Sequence, residues 1–334
     1  MTKKILPALL TVLAVLIAHT CKAEPAQKIK IVTTTSQIGD LVKNITQDTA
    51  DVQYLMGSGI DPHLYHPTRQ DVAKLLSADI VVYNGMNLEG KMEKLLKDIS
   101  KNQTSLSIAS ILSLDSLNPL EGEEGYDPHI WMNVEHWIIA ADEITKIITK
   151  QYPEYSETYK VNNTEYKKRL LDLHEYAQNI VNSIPQDKRT LITAHDAFGY
   201  LGSAYGLNVI GIQGISTESE AGLTQIETLV DLLVTQKIPA VFVETSVSDH
   251  NIKAIIEGAK ARGHNVVLGG SLYSDAMGKE GTQEGTYIGM MVYNLKTISK
   301  ALGGKTSLGS DPKILKGEER KINEDATKTS KDKL

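Results

Sequence analysis

Positions 154–184 form a run of 31 residues with neither glycine nor proline, bracketed by Pro153 and Pro185. Within it Tyr159, Tyr166, Leu170, Leu173, Ala177, Ile180 and Ile184 recur at helical spacing, so one apolar stripe runs along one side. At ~1.5 Å per residue such a helix spans roughly 46 Å, enough to pass two domains of ordinary size. A flexible linker would be rich in glycine or serine; this segment reads as a stiff strut. The alternative is an ordinary long surface helix of one domain. Whatever precedes and follows the run must be built against a rod.

Both flanks carry the same rhythm. Before the strut, strand-like stretches fall at 28–35, 51–56, 79–85 and 104–109, with helical patterns at 36–45, 68–76 and 87–99. After it, strands are expected at 189–194, 208–212, 239–245 and 265–269, with helices near 219–236, 249–262 and 283–302. Apolar strands alternating with helices imply parallel sheets covered on both faces. Ser36 is the expected N-cap of the first helix. The expected fold is α/β: two parallel-sheet lobes, at 24–153 and 185–303, joined by one long rigid helix at 154–184. A chain of 334 residues accommodates both lobes.

The two ends differ from this body. Residues 1–23 begin with Lys3 and Lys4, continue apolar over positions 5–18, and turn small and polar. That is the pattern of a secretory signal peptide, too short for a comfortable membrane span. Cys21 is the only cysteine, so no intramolecular disulfide forms. Cleavage after Ala23 gives a soluble exported protein. Lipidation of Cys21 is the less favoured route, because Ala18-His19-Thr20 fits a lipoprotein signal poorly. Residues 304–334 are charged, lack aromatics and read as a disordered tail. The net charge of −6 argues against a nucleic-acid partner, which demands excess Lys and Arg.

Asp-Pro-His occurs twice, ending at His63 and His129. Proline fixes its own φ and restricts the residue before it, so each turn presents an imidazole with little freedom. His195 leaves the expected strand 189–194 directly. All three fall on the carboxyl-end side of a sheet, where open α/β sheets place ligand sites. Asp275, in a glycine-flanked loop after the last strand, is the acid best placed on the same edge. Glu244 ends a strand and is either a further ligand or a partner that orients a histidine. Asp127 and Asp196 read as turn or cap residues. His66, His136, His174, His250 and His264 have ordinary structural readings, with His174 solvated on the strut. Three imidazoles and a carboxylate make a four-ligand cage suited to a first-row divalent cation.

The stretches "GIDPHLYHPT", "YDPHIWMNV", "LITAHDAFGYLGSAYGL", "IQGISTESEA" and "LYSDAMGKEGTQEGTY" resemble the motifs of periplasmic metal-binding receptors of ABC-type importers, in the TroA-like zinc and manganese branch. The resemblance runs from about Lys30 to Leu302. It implies two α/β lobes on a backbone helix, with a metal site in the cleft formed by His63, His129, His195 and Asp275. Zinc receptors of the family often carry a histidine-rich loop before the second ligand; here "LEGEEGYDPH" has none ahead of His129. Manganese-selective members usually have glutamate where this chain has His195. The chain falls between the two patterns, so zinc and manganese both stand as the carried ion, with no organic cofactor.

The resemblance implies a non-enzymatic, monomeric receptor that delivers its ion to a membrane permease driven by a cytoplasmic ATPase. Two other functions are open to such a chain. A secreted zinc hydrolase needs an open coordination position and a general base; no HExxH is present and Glu244 is the one plausible base. A metal-binding surface adhesin has no sequence feature in its favour.

Overall fold

The computed structural model describes residues 28–307 apart from positions 121 and 123. The expected signal peptide and most of the expected tail lie outside the described residues. No helix among those described is long and apolar enough to cross a membrane.

The N-terminal lobe is a four-stranded parallel sheet in the order β2-β1-β3-β4, built from β1 (Ile29–Thr35), β2 (Ala50–Met56), β3 (Ile80–Tyr83) and β4 (Ser105–Ser107). Successive strand residues face opposite sides, and the core divides accordingly. Val32 and Val81 join Leu75, Met92, Leu96 and Ile99 from α2 (Arg69–Ser77), α3 (Glu93–Ile99) and the turn before it. Ile31, Ile80 and Val82 face α1 (Ser36–Thr46) and α4 (Val134–Gln151) on the other side. A capping box starts α2: Thr68 Oγ1 accepts from the Asp71 amide, and Asp71 accepts from the Thr68 amide.

The strut is α5 (Ser156–Asn182), 27 residues long, or roughly 40 Å. It is shorter than expected because Pro153–Tyr155 form a separate 3₁₀ turn, and the Ser183 hydroxyl donates to the Ile180 carbonyl at the far end. All seven residues of the predicted apolar stripe are buried.

The C-terminal lobe comprises β5 (Thr190–His195), α6 (Gly199–Tyr205), β6 (Asn208–Gln213), α7 (Leu223–Gln236), β7 (Ala240–Glu244), α8 (His250–Ala261), β8 (Val267–Leu272) and α9 (Tyr287–Ala301). Its strands are parallel but form two pairs, β5-β6 and β7-β8. β5 and β7 run side by side with no backbone ladder between them among the described residues. One face of these strands, with α7 and α8, makes a separate core around Ile192, Ala194, Val241, Leu233 and Ile255. The other face carries Leu191, Phe242 and Leu272 into the same core as the N-terminal lobe, together with α5 and α9. One continuous apolar core thus crosses both lobes.

Ser36 departs from its expected role. Thr35 is the N-cap of α1, without a side-chain cap bond. The Ser36 hydroxyl instead accepts from the Met277 amide of the other lobe, at 3.4 Å.

Candidate metal centre

The two Asp-Pro-His turns share one backbone device. Asp61 Oδ1 accepts the His63 amide at 2.9 Å and Asp127 Oδ1 accepts the His129 amide at 2.9 Å, the local bond that makes aspartate a turn former. They differ in what else the aspartate does. Asp127 Oδ1 also takes the Nδ1–H of His129, at 2.7 Å, which turns Nε2 toward the other ligands. Asp61 reaches across the cleft instead, where Oδ2 accepts from Thr217 Oγ1 at 2.6 Å.

The second turn is held hard. The side-chain amide of Asn84 donates to the Pro128 carbonyl at 2.9 Å, and the Tyr200 hydroxyl to the Asp127 carbonyl at 2.8 Å. Glu89, buried behind it, accepts from Thr34 Oγ1 and the amides of Asn84 and Gly85. Gly199 has a steric reason: a Cβ there would stand 2.9 Å from Asp127 Oδ2.

His195 is the last residue of β5 and Glu244 the last of β7. Glu244 Oε1 accepts the His195 amide at 2.8 Å, and Oε2 accepts its Nδ1–H at 2.6 Å. One carboxylate therefore clips together two strand ends that no ladder joins, and fixes the ring with Nε2 inward. Asp275 follows β8 in a loop tied to the N-terminal lobe by Trp131, whose indole N–H donates to the Ser274 carbonyl at 3.0 Å.

These four side chains converge. One ligand atom from each of His63, His129, His195 and Asp275 lies within 4.8 Å of the others. His63 Nε2 is 3.3 Å from His129 Nε2. The Asp275 oxygens lie 3.3 Å from His129 Nε2 and 3.2 Å from His195 Nε2, too poorly aligned to count as hydrogen bonds. All four residues are buried.

Charge and burial compete here. Burial pushes the His63 imidazole down to about 4, and the Asp275 charge offsets this only in part. Burial acts on His129 too, but Asp127 and Asp275 outweigh it and raise the ring to about 9. Glu244 and Asp275 likewise overcome burial and hold His195 well above the usual imidazole range. Burial would raise Asp275, yet the His195 and His129 rings hold it well below the carboxylate range. A buried carboxylate facing three imidazoles is a place built for positive charge, whether protons or a cation.

The remaining sequence candidates stand apart from the cluster. His66 is exposed. His136 packs against the Tyr200 ring at 5.1 Å. His264 Nε2 bonds the Ile238 carbonyl at 2.8 Å, and His250 opens α8 at the surface. Asp196 is a turn residue whose amide bonds the Gly214 carbonyl. His174 departs from its solvated reading: it is half-buried, with Nδ1 3.1 Å from the Tyr205 hydroxyl. Sequence reasoning passed over Trp131, Glu89 and Thr217. Trp131 and Thr217 meet partners 143 and 156 residues away, and Glu89 joins the local amides of Asn84 and Gly85 to the distant Thr34; the spacing of Asp61 and Asp127 from their histidines is the clearest local signal.

The family model for ZnuA, described as zinc-uptake complex component A periplasmic, matches residues 31–301. Manganese-binding lipoprotein MntA of Bacillus subtilis (strain 168) is 46 % identical over 276 residues, covering 83 % of this chain and 90 % of the relative. Zinc-binding protein TroA of Treponema pallidum (strain Nichols) is 39 % identical over 272 residues, 81 % of this chain and 88 % of the relative. Its solved structure, of the periplasmic zinc binding protein, superposes with a TM-score of 0.81 over 83 % of this chain and 99 % of that one. The manganese ABC transporter substrate-binding lipoprotein PsaA of Streptococcus mitis is 36 % identical over 287 residues, 84 % of this chain and 91 % of the relative. With its two α/β lobes on one long helix, this chain belongs to the ZnuA family of zinc-uptake complex component A proteins.

Proposed function

We propose that this chain is the extracytoplasmic substrate-binding component of an ABC-type importer, with a divalent zinc or manganese ion as its cargo. One observation carries the reading: four buried donor groups from two lobes, those of His63, His129, His195 and Asp275, converge within 4.8 Å. Three imidazole nitrogens and a carboxylate suit a first-row divalent ion. Asp275 giving one oxygen completes a four-coordinate zinc site; giving both suits manganese, which favours more oxygen. In the four-coordinate arrangement every position is filled by protein, so the ion is held as cargo with no place for a reactive water. Glu244 has both oxygens engaged by His195, which removes the one base a hydrolase reading could use.

The named cargo of the relatives, manganese for MntA and zinc for TroA, supports the same pair of ions here. The name of PsaA, a manganese ABC transporter substrate-binding lipoprotein, supports delivery to a membrane permease with its cytoplasmic ATPase. In this reading the chain works as a monomer, with lobes at 24–153 and 185–303 flanking the helix region 154–184. The signal peptide at 1–23 exports it, and a mature chain beginning at Glu24 is favoured over a lipid anchor on Cys21.

Isothermal titration of the metal-stripped protein with zinc tests the reading. One ion per chain is expected. His63→Ala and His129→Ala should each lose at least about 100-fold in affinity, since each removes a direct ligand where loss of an outer partner already costs 10–100-fold. His66→Ala should bind as wild type. Full binding by H129A, or an equal loss in H66A, defeats the assignment.

A further inference from the structure

The two rims of the cleft are held unequally. The Asp275 loop belongs to the C-terminal lobe by sequence, yet it is fastened to the N-terminal lobe throughout. Trp131 bonds Ser274, Ser36 bonds Met277, Lys43 and Tyr54 bond Glu280 at 2.7 and 3.1 Å, and Asp40 accepts the Tyr287 amide at 3.2 Å. On the His63 side the loop between β6 and α7 makes two polar contacts with the N-terminal lobe among the described residues. Thr217 donates to Asp61 at 2.6 Å, and Glu218 pairs with Lys91 at 2.5 Å.

The Thr217 contact leads straight to a ligand. Thr217 is buried, and its acceptor Asp61 holds the His63 amide with the other oxygen. His129 and His195 each have a carboxylate on Nδ1. No such carboxylate bond to the His63 ring is found among the described residues, so the seat of His63 depends on its backbone turn. We propose, resting on the metal-receptor reading above, that Thr217 is a positioning residue for His63 and that Thr217–Glu218 form a strap whose release lets the ion out. When the loop lifts, Asp61 loses the partner that anchors it, the turn slackens, and His63 is the first ligand to leave. His129 and Asp275 stay together because their loops are bonded to one another through Trp131.

The two contacts differ in weight. A short, half-buried bond to a carboxylate, at 2.6 Å, is strong. The Lys91–Glu218 pair has both side chains more than 40 % exposed and contributes little once salt screens it.

The test is zinc release from the loaded full chain into excess chromogenic chelator, followed by stopped flow, with thermal midpoints of the metal-free variants alongside. Thr217→Val should release zinc roughly tenfold faster or more, the effect of losing one charge-assisted hydrogen bond. Thr217→Ser, which keeps the hydroxyl, should restore a rate near wild type. Glu218→Gln should accelerate release by less than about threefold, and that effect should vanish as salt is raised. Asp61→Ala combined with T217V should release no faster than D61A alone, because the threonine acts through the aspartate. If T217V does not fold, Thr217→Ala gives the same reading without a branched methyl to misfit. Release by T217V at the wild-type rate, or fully additive effects of D61A and T217V, overturns the proposal. A wild-type chain that takes up no zinc overturns the receptor reading with it; normal uptake with unchanged release in T217V overturns the strap alone.

Discussion

At the scale of single residues, two of the three inward-facing imidazoles, His129 and His195, are set by a carboxylate on their other side. Asp127 on His129 and Glu244 on His195 fix the ring tautomer and raise the affinity of those rings for protons as well as for metal. The pH dependence follows from this. A ring raised to about 9 carries its proton through the neutral range, and an incoming ion must displace that proton. Ion affinity should therefore climb by about tenfold per pH unit for each proton displaced, and keep climbing to about pH 9. A site of ordinary imidazoles would level off just above ~6.5. Dissociation constants measured from pH 6 to pH 9.5 decide between the two: a plateau by pH 7.5 contradicts the carboxylate-held rings. The metal-free protein should show the reverse for the His129 pairing. Its stabilisation is complete below the ordinary imidazole value and is lost as pH rises through about 9. The histidines themselves were legible in the sequence, because a ligand and its turn sit within three residues of each other. The level of their protonation was not, because Glu244 reaches His195 from the end of β7 and Asp275 from the loop after β8.

At the scale of elements, the strut was the most legible part. Its stripe follows from periodicity alone, and every predicted position is buried. Neighbouring residues make the test. Leu170 is fully buried and Leu171 is 57 % exposed. Leu170→Ala should cost about 2–5 kcal/mol of stability, while Leu171→Ala should stay within about 0.5 kcal/mol. Urea unfolding of the metal-free variants measures both, and equal losses would mean that the stripe is assigned to the wrong face. Less legible were the seven-residue α6 and the 3₁₀ turn that follows His129. Elements that short carry less than two helical periods, so packing decides them rather than pattern. The split between β5-β6 and β7-β8 was invisible in sequence as well, since both pairs read as ordinary buried strands. Ser36 fits a cap by residue type, but a hydroxyl beside an opposing lobe bonds what is nearest.

At the scale of the whole molecule, one core crosses both lobes and takes in the strut. Opening the cleft widely would expose apolar surface at roughly 25 cal/mol per Å², so the lobes can shift only slightly. Small-angle scattering should give the same radius of gyration for metal-free and zinc-loaded protein, and a clear compaction on loading would contradict the shared core. A molecule of this kind discharges its ion by a local change at the cleft rim. His63, His129, His195 and Asp275 are proposed to hold one ion together. X-ray absorption at the zinc edge of the loaded protein tests it most directly. Three imidazole nitrogens at ~2.0–2.1 Å with one or two carboxylate oxygens is the predicted result; a shell with fewer than three imidazoles, or one filled mainly by water, would contradict it.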